Sequence, residues 1–250
     1  MTFGHAKSRI ETANDLDVSD RAPVAARDEW GLGRTWTSMY RAPVDTFGDN
    51  APVGRVIDIL GALAILIIAF PFLAVLALLM KIDSPGSLFF VQQRIGRGGR
   101  VFPCIKFRTM CRDADLALQR HLASSSEARA EWARDHKLRD DPRITRMGKI
   151  VRKLSLDEFP QLINVLRGEM SLVGPRPIVR SEVPRYGRYF DEYCKVRPGL
   201  TGLWQVSGRN NVSYRRRVSI DCYYVRNKSL AFDLSILMRT VPVVIFAKGY

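Results

Sequence analysis

The chain has 250 residues and carries 39 Lys and Arg against 25 Asp and Glu, a formal charge of +14, so anionic partners are expected. Its four cysteines, Cys104, Cys111, Cys194 and Cys222, contain no Cys-x-x-Cys pair, and the three histidines (His5, His121, His136) are scattered. This pattern argues against a zinc site and against a disulfide framework, and suits a reducing compartment.

Residues 1–53 mix Ala, Pro, Asp, Arg and Gly without sustained periodicity and lack an apolar core followed by a small-residue cleavage site. They read as a disordered polar tail rather than a signal peptide, ahead of one folded domain over 54–250. From Ile59 to Met80 the chain then runs 22 residues without a charge. As a straight helix this is about 33 Å long, enough for a hydrocarbon core of about 30 Å. Pro71 near its middle predicts a break or kink. Arg55 and Asp58 stand before the segment, Lys81 and Asp83 after it. Two geometries fit, a kinked span with the tail outside the cell or a bent helix returning to the face it left, and the proline alone does not choose between them. The basic side chains just beyond, Lys81, Arg94, Arg97 and Arg100, favour a cytoplasmic catalytic region.

Residues 88–95 and 101–107 alternate as short strands joined by Gly96-Arg97-Gly98-Gly99, which predicts a hairpin. These glycines lack the following helix and Lys-Ser/Thr pair of a phosphate-cradling loop, so a turn is the better reading. Residues 113–135 predict one amphipathic helix. Gly174-Pro175-Arg176-Pro177 and Arg197-Pro198-Gly199-Leu200-Thr201-Gly202 are breakers. The stretch 230–246 is apolar but interrupted by Asp233, Arg239 and Pro242, and is expected to lie in a membrane interface.

The chemistry centres on Leu154-Ser155-Leu156-Asp157-Glu158-Phe159-Pro160-Gln161, two adjacent carboxylates where a helix is expected to begin, directly after Arg146, Lys149, Arg152 and Lys153. A carboxylate can act as a covalent nucleophile toward phosphorus, and nearby cations keep it ionised. Ser155 followed by Glu158 is equally a capping-box pattern, so this stretch alone leaves helix initiation and catalysis open. Lys106 and Arg108 occupy alternate positions of an extended segment and share a face. Arg176 and Arg197 are pinned between turns, as suits bidentate phosphate recognition.

From Gly54 onward the chain resembles the bacterial sugar transferase family, small monotopic phosphoglycosyl transferases acting on undecaprenyl phosphate. The matching pieces keep one order: Arg55-x-x-Asp58 opening a proline-broken apolar helix, Gln93-Arg94-Ile95-Gly96, Lys106-Phe107-Arg108-Thr109-Met110, Asp141-Pro142-Arg143-Ile144-Thr145, Arg152 to Gln161, Gly174-Pro175-Arg176-Pro177, and Arg197 to Arg209. The resemblance implies an α-rich (α+β) monotopic membrane domain with a re-entrant, proline-broken helix over 55–80, a small β-hairpin and interfacial amphipathic helices. It implies transfer of a hexose 1-phosphate, galactose or glucose, from a UDP-sugar to undecaprenyl phosphate, with release of UMP, as the first membrane step of exopolysaccharide assembly.

On this resemblance Asp157 carries the phosphosugar covalently, with Glu158 and Arg152 beside it, and Asp157 and Glu158 hold Mg²⁺. Lys106, Arg108, Thr109, Pro175, Arg176, Arg197, Gln205 and Arg209 bind substrate, while Arg55, Asp58 and Pro71 anchor and break the membrane helix. It places the protein at the cytoplasmic face of the bacterial inner membrane, in contact with membrane lipid, in a family whose members often pair as homodimers. Phe70 departs from the family's small hydroxylated residue before the helix-breaking proline, which leaves the bend angle open. The rival class, a non-catalytic membrane-tethered basic protein holding nucleic acid or anionic lipid, is permitted by charge alone. Its basic residues interleave with acids and prolines instead of forming a stripe, and no nucleic-acid module is legible.

Overall fold

The computed structural model describes residues 52–135, 138–207 and 212–245. The expected tail therefore lies, up to residue 51, outside the described residues. Helix α1 (Pro52–Asp83) is followed by strands β1 (Phe89–Ile95) and β2 (Val101–Phe107), then α2 (Ala114–Ser124), α3 (Ser126–Asp135), α4 (Arg146–Lys153) and α5 (Gln161–Arg167). Strand β3 (Ser171–Val173), short helices α6 (Val183–Tyr186) and α7 (Phe190–Cys194), strand β4 (Gly199–Thr201), helix α8 (Leu203–Val206), and the longer α9 (Tyr214–Asn227) and α10 (Leu230–Ile245) complete the order. The antiparallel β1–β2 hairpin and the parallel β3–β4 pair are separate two-stranded sheets. This is the helix-rich α+β architecture expected, with the hairpin in place and a parallel pair added.

Helix α1 is uninterrupted across Pro71, which lies inside it instead of ending it. A proline removes one backbone donor, and a single lost bond bends a long helix without stopping it. The middle of α1 presents bare apolar surface, with Ile67 71%, Ile68 78% and Phe70 69% exposed, as a lipid-facing helix does. Both of its ends, by contrast, are fixed to the same body. At the start, Arg55 donates to the Val165 and Leu166 carbonyls at the C-terminal end of α5 (2.7 and 2.9 Å). The Asp58 carboxylate accepts from Ser171 Oγ (2.9 Å) and the Leu172 amide (2.8 Å). At the far end, Leu76 and Met80 pack with Phe107, Val151 and Leu156, and Asp83 accepts from the Met147 amide in the first turn of α4 (3.0 Å), where a carboxylate suits the helix dipole. Docking of both ends on one body is consistent with the re-entrant geometry expected.

The single helix expected over 113–135 is two. The Ser124-Ser125-Ser126 run breaks it, because Ser125 leaves the helical conformation and its Oγ accepts from the Ala128 amide to start the second segment, the N-cap behaviour of serine. In α10, Phe232 and Ile236 are fully buried while Leu234, Met238 and Val241 face outward, an apolar stripe consistent with the expected interfacial placement.

The hairpin is locked to the rest by side chains that substitute for missing strands. Asn164 of α5, fully buried, accepts from the Ile105 amide (3.0 Å) and donates to the Pro103 carbonyl and to Glu169 (2.8 and 2.6 Å), so the outer edge of β2 is satisfied without a neighbour. On the other side the Tyr193 hydroxyl donates to the Ile95 carbonyl at 2.6 Å within a cluster of Ile95, Ile178, Tyr186, Val218 and Cys222. Replacing Asn164 with Leu strands the Ile105 amide and the Pro103 carbonyl inside the protein. Urea unfolding of the detergent-solubilised variant is expected to show a loss of about 2–4 kcal/mol, and an unchanged midpoint would refute this anchoring.

Candidate functional site

Alternation along β2 puts Phe102, Cys104 and Lys106 on one face, and the β1 residues paired with them are Arg94, Gln92 and Phe90. That face floors a narrow cleft lined by Arg94, Cys104, Lys106, Glu158, Arg176 and Gln205, among others. Lys106 Nζ lies 2.6 Å from Glu158 Oε1. Arg94 is buried, with its guanidinium donating to the Pro177 carbonyl (2.9 Å) and to Gln92 (2.6 Å).

The two carboxylates ride on a 3₁₀ turn, Leu156–Glu158, ahead of α5. Ser155, which precedes the turn, takes left-handed backbone angles (φ 57°) and makes no side-chain cap bond. The capping-box reading of Ser155 and Glu158 is thus not realised, because Glu158 points to Lys106 instead. A non-glycine residue in this region costs on the order of 1 kcal/mol. Here it reverses the chain so that α4 and the carboxylate turn meet. Arg152, in the last turn of α4, donates through Nε to Thr109 Oγ1 at 2.7 Å, and its charge acts on Asp157.

The environment separates the two acids. Burial and the neighbouring Glu158 charge push the Asp157 carboxyl above its ordinary value, against the pull of Lys106 and Arg152. Burial also acts to raise Glu158, but Lys106, Arg176 and Arg94 together outweigh it and hold that carboxyl below its ordinary value. Paired acids pushed in opposite directions are a signature of divided roles. Among the described residues, no side-chain donor lies within hydrogen-bond distance of the Asp157 carboxylate, which bonds its own backbone.

Arg176 reaches the cleft through a backbone crossing. A Cβ on Gly199 would fall onto the Gly174 amide, and one on Gly174 would come within 2.7 Å of the Gly199 amide. The two loops therefore meet main chain to main chain, clasped by Gly199 N to Pro175 O (2.8 Å) and Gly174 N to Thr201 O (2.9 Å). Pro175 serves this clasp through its carbonyl.

Comparison with known proteins gives the same direction as the cleft. The bacterial sugar transferase family model matches residues 50–247. The exopolysaccharide production protein ExoY of Sinorhizobium fredii is 46% identical over 220 residues, covering 86% of this chain and 97% of its own. The UDP-galactose-lipid carrier transferase of Erwinia amylovora is 49% identical and the undecaprenyl-phosphate galactose phosphotransferase of Salmonella typhimurium 50% identical, each over 195 residues. The alignments with the last two cover 78% of this chain and 41% of those longer relatives. The chain belongs to the bacterial sugar transferase family.

Within this sugar transferase the cleft gathers Lys106, Glu158, Arg176 and Gln205 of the expected site residues, with Asp157 on the same turn and Arg152 behind it. Thr109 holds Arg152. Arg108 is not brought in: strand β2 ends at Phe107, and the Arg108 guanidinium turns to the Ser84 and Pro85 carbonyls (2.8 and 3.1 Å), bracing the exit of α1. Arg197 is also elsewhere. It donates to the Gly168 carbonyl (3.0 Å) beside Arg55, at the opposite end of α5, on a larger and mostly apolar groove between α1 and α10. Arg209 lies outside the described residues. Arg94 is a cleft residue not expected from the sequence; its strand alternation with Lys106 across the hairpin is the signal that could have placed it in the site.

Carboxyl-detected NMR titration should place Asp157 above 3.8 and Glu158 below 4.5. In Lys106→Met both should titrate higher, because the shared cation that favours their ionised forms is gone. Identical titrations in the two proteins would rule out this electrostatic coupling.

Proposed function

We propose that the protein transfers a hexose 1-phosphate from a UDP-sugar to undecaprenyl phosphate, releasing UMP, in two steps through Asp157. It is a phosphoglycosyl transferase that loads a sugar phosphate onto a lipid carrier for exopolysaccharide synthesis. The observation that carries the finer reading is the Asp157 carboxylate, without a side-chain donor and next to an ionised Glu158 that lines a cleft whose cations outnumber its acids. In the first step an Asp157 oxygen bonds to the sugar-proximal phosphorus while the bond from that phosphorus to the bridging oxygen breaks, and UMP departs with the electron pair. In the second, an oxygen of the polyprenyl phosphate bonds to the same phosphorus and the aspartate carboxylate leaves. A carboxylate held more basic than usual is the better nucleophile once deprotonated, and Arg94, Lys106, Arg176 and Arg152 supply positive charge to oxygens that gain negative charge. Two turns let a water-soluble and a membrane-held substrate use one small cleft.

The donor set fits Mg²⁺. Among the described residues no three of His, Cys, Asp and Glu converge, so an all-protein cage is not on offer. Magnesium is commonly held by one or two carboxylates plus substrate phosphates, and Asp157 together with the second oxygen of Glu158, whose first takes Lys106, would hold it. When bound it supplies charge neutralisation on the phosphates. Galactose is the favoured hexose, since two relatives bear names for galactose transfer. The basic flanks of α1 favour the cytoplasmic face of the inner membrane, and a homodimer follows from the family resemblance alone.

Incubated with UDP-galactose and no acceptor, the wild-type protein should gain the mass of one hexose phosphate, and Asp157→Asn should gain none and release no UMP; turnover by that variant would defeat the nucleophile. For topology, cysteines placed at Val53 and Pro85 should both resist an impermeant label in intact cells and react after lysis. Reaction of just one in intact cells would establish a true span.

A further inference from the structure

Among the described residues six buried side-chain polar atoms have no hydrogen-bond partner, and two of them, Arg94 Nε and Gln205 Oε1, belong to side chains that line the catalytic cleft. They are of opposite sense, one an N–H donor and the other an acceptor. The Gln205 side chain is held loosely: among the described residues its one hydrogen bond is Nε2 to the Leu200 carbonyl at 3.5 Å, and Oε1 rests over Gly202, where a Cβ would stand 3.2 Å away. A buried acceptor without a donor is costly. The cations of the cleft, Arg94, Lys106 and Arg176, suit anionic oxygens, and Gln205 Oε1 does not. A fully ionised phosphate has nothing to donate to it, whereas a hydroxyl can accept from Arg94 and donate to Gln205 at once.

We infer that Gln205 Oε1 accepts a hydrogen bond from a ring hydroxyl of the transferred hexose, with Arg94 Nε donating to that hydroxyl or its neighbour, so that Gln205 sets which hexose is taken. This deepens the transferase reading above and rests on it. The choice of hexose over nucleobase follows from distance along the substrate. The hexose is bonded directly to the phosphate under attack, whereas the base is separated from it by the second phosphate and the ribose. Arg94 and Gln205 line the same cleft as Glu158, the chain neighbour of Asp157, so the group they meet is the one next to the reacting phosphate. Gln205 sits on α8, directly after the Gly199–Gly202 crossing that also fixes Arg176, so the hydroxyl reader and the phosphate reader are set by one backbone clasp.

The test measures kcat/KM for full-length protein in lipid nanodiscs with undecaprenyl phosphate and UDP-hexoses in which each ring hydroxyl in turn is replaced by fluorine, which cannot donate. Wild type should lose roughly 10- to 100-fold at one position. Gln205→Met, nearly isosteric and without the amide acceptor, should be slow with the parent sugar and change by less than about threefold on fluorination there. Gln205→Glu, which keeps an acceptor, should retain the wild-type profile. The inference is overturned by a wild-type profile in Gln205→Met at every position, by a wild type indifferent to all fluorinations, or by a Gln205→Met whose preference changes between UDP- and CDP-hexoses instead. A wild type that forms no lipid-linked product from any unmodified UDP-hexose overturns the transferase reading and the inference with it.

Discussion

The Lys106–Glu158 ion pair joins the two halves of the site, the hairpin that carries the cations and the turn that carries the acids. Its 2.6 Å contact spans segments far apart in sequence, so neither end is set by its neighbours. Lys106 is delivered by the register of a two-stranded hairpin, which would be marginal alone and is made rigid by Asn164 on one edge and Tyr193 on the other. Glu158 is delivered by the left-handed turn at Ser155. Half-buried ion pairs of this kind add little to stability, and losing one partner is expensive because the other charge is left behind. The return is electrostatic: with Glu158 committed to Lys106, Arg176 and Arg94, the adjacent Asp157 experiences a fixed negative neighbour and becomes the more basic of the two.

The membrane helix bears on the same site from below. Leu76 and Met80 pack against Phe107, Val151 and Leu156, which are the strand residue next to Lys106, the core residue of the Arg152 helix and the first residue of the carboxylate turn. Three elements of the site therefore rest on the second half of α1, whose outward face is apolar. The first half is tied through Arg55 and Asp58 to the C-terminal end of α5 and to β3. Because α5 is seven residues long, or about 10 Å, the two anchors stand on either side of one short helix.

Periodicity and composition were enough for the apolar helix, the hairpin and the breakers, because each is decided locally by burial pattern or by glycine and proline. The departures all arise where tertiary contacts override a local signal. Ser155 and Glu158 have the spacing of a cap, yet Lys106 outcompetes the backbone amides for the glutamate. Arg108 shares the alternation of Lys106 but follows the residue where the strand ends, and the carbonyls at the exit of α1 capture it. The serine run that divides α2 from α3 was visible and was outweighed by helical spacing on both sides. Arg197 and Arg176 look alike in sequence, each flanked by turns, and separate only because β3 and β4 carry them to opposite ends of α5.

The glycine crossing explains why two apparently flexible loops can build a precise site. Guanidinium recognition of phosphate depends on orientation as much as charge, and an arginine on a mobile loop would forfeit most of it to ordering entropy. Where the Gly174 and Gly199 backbones touch, no side chain intervenes, and the paired main-chain bonds leave the Arg176 segment little freedom. The same contact fixes the start of α8 and with it Gln205. Precision here comes from removing side chains at a crossing, so that backbone hydrogen bonds fix both a charged and a neutral recognition group against the buried ion pair on the opposite wall.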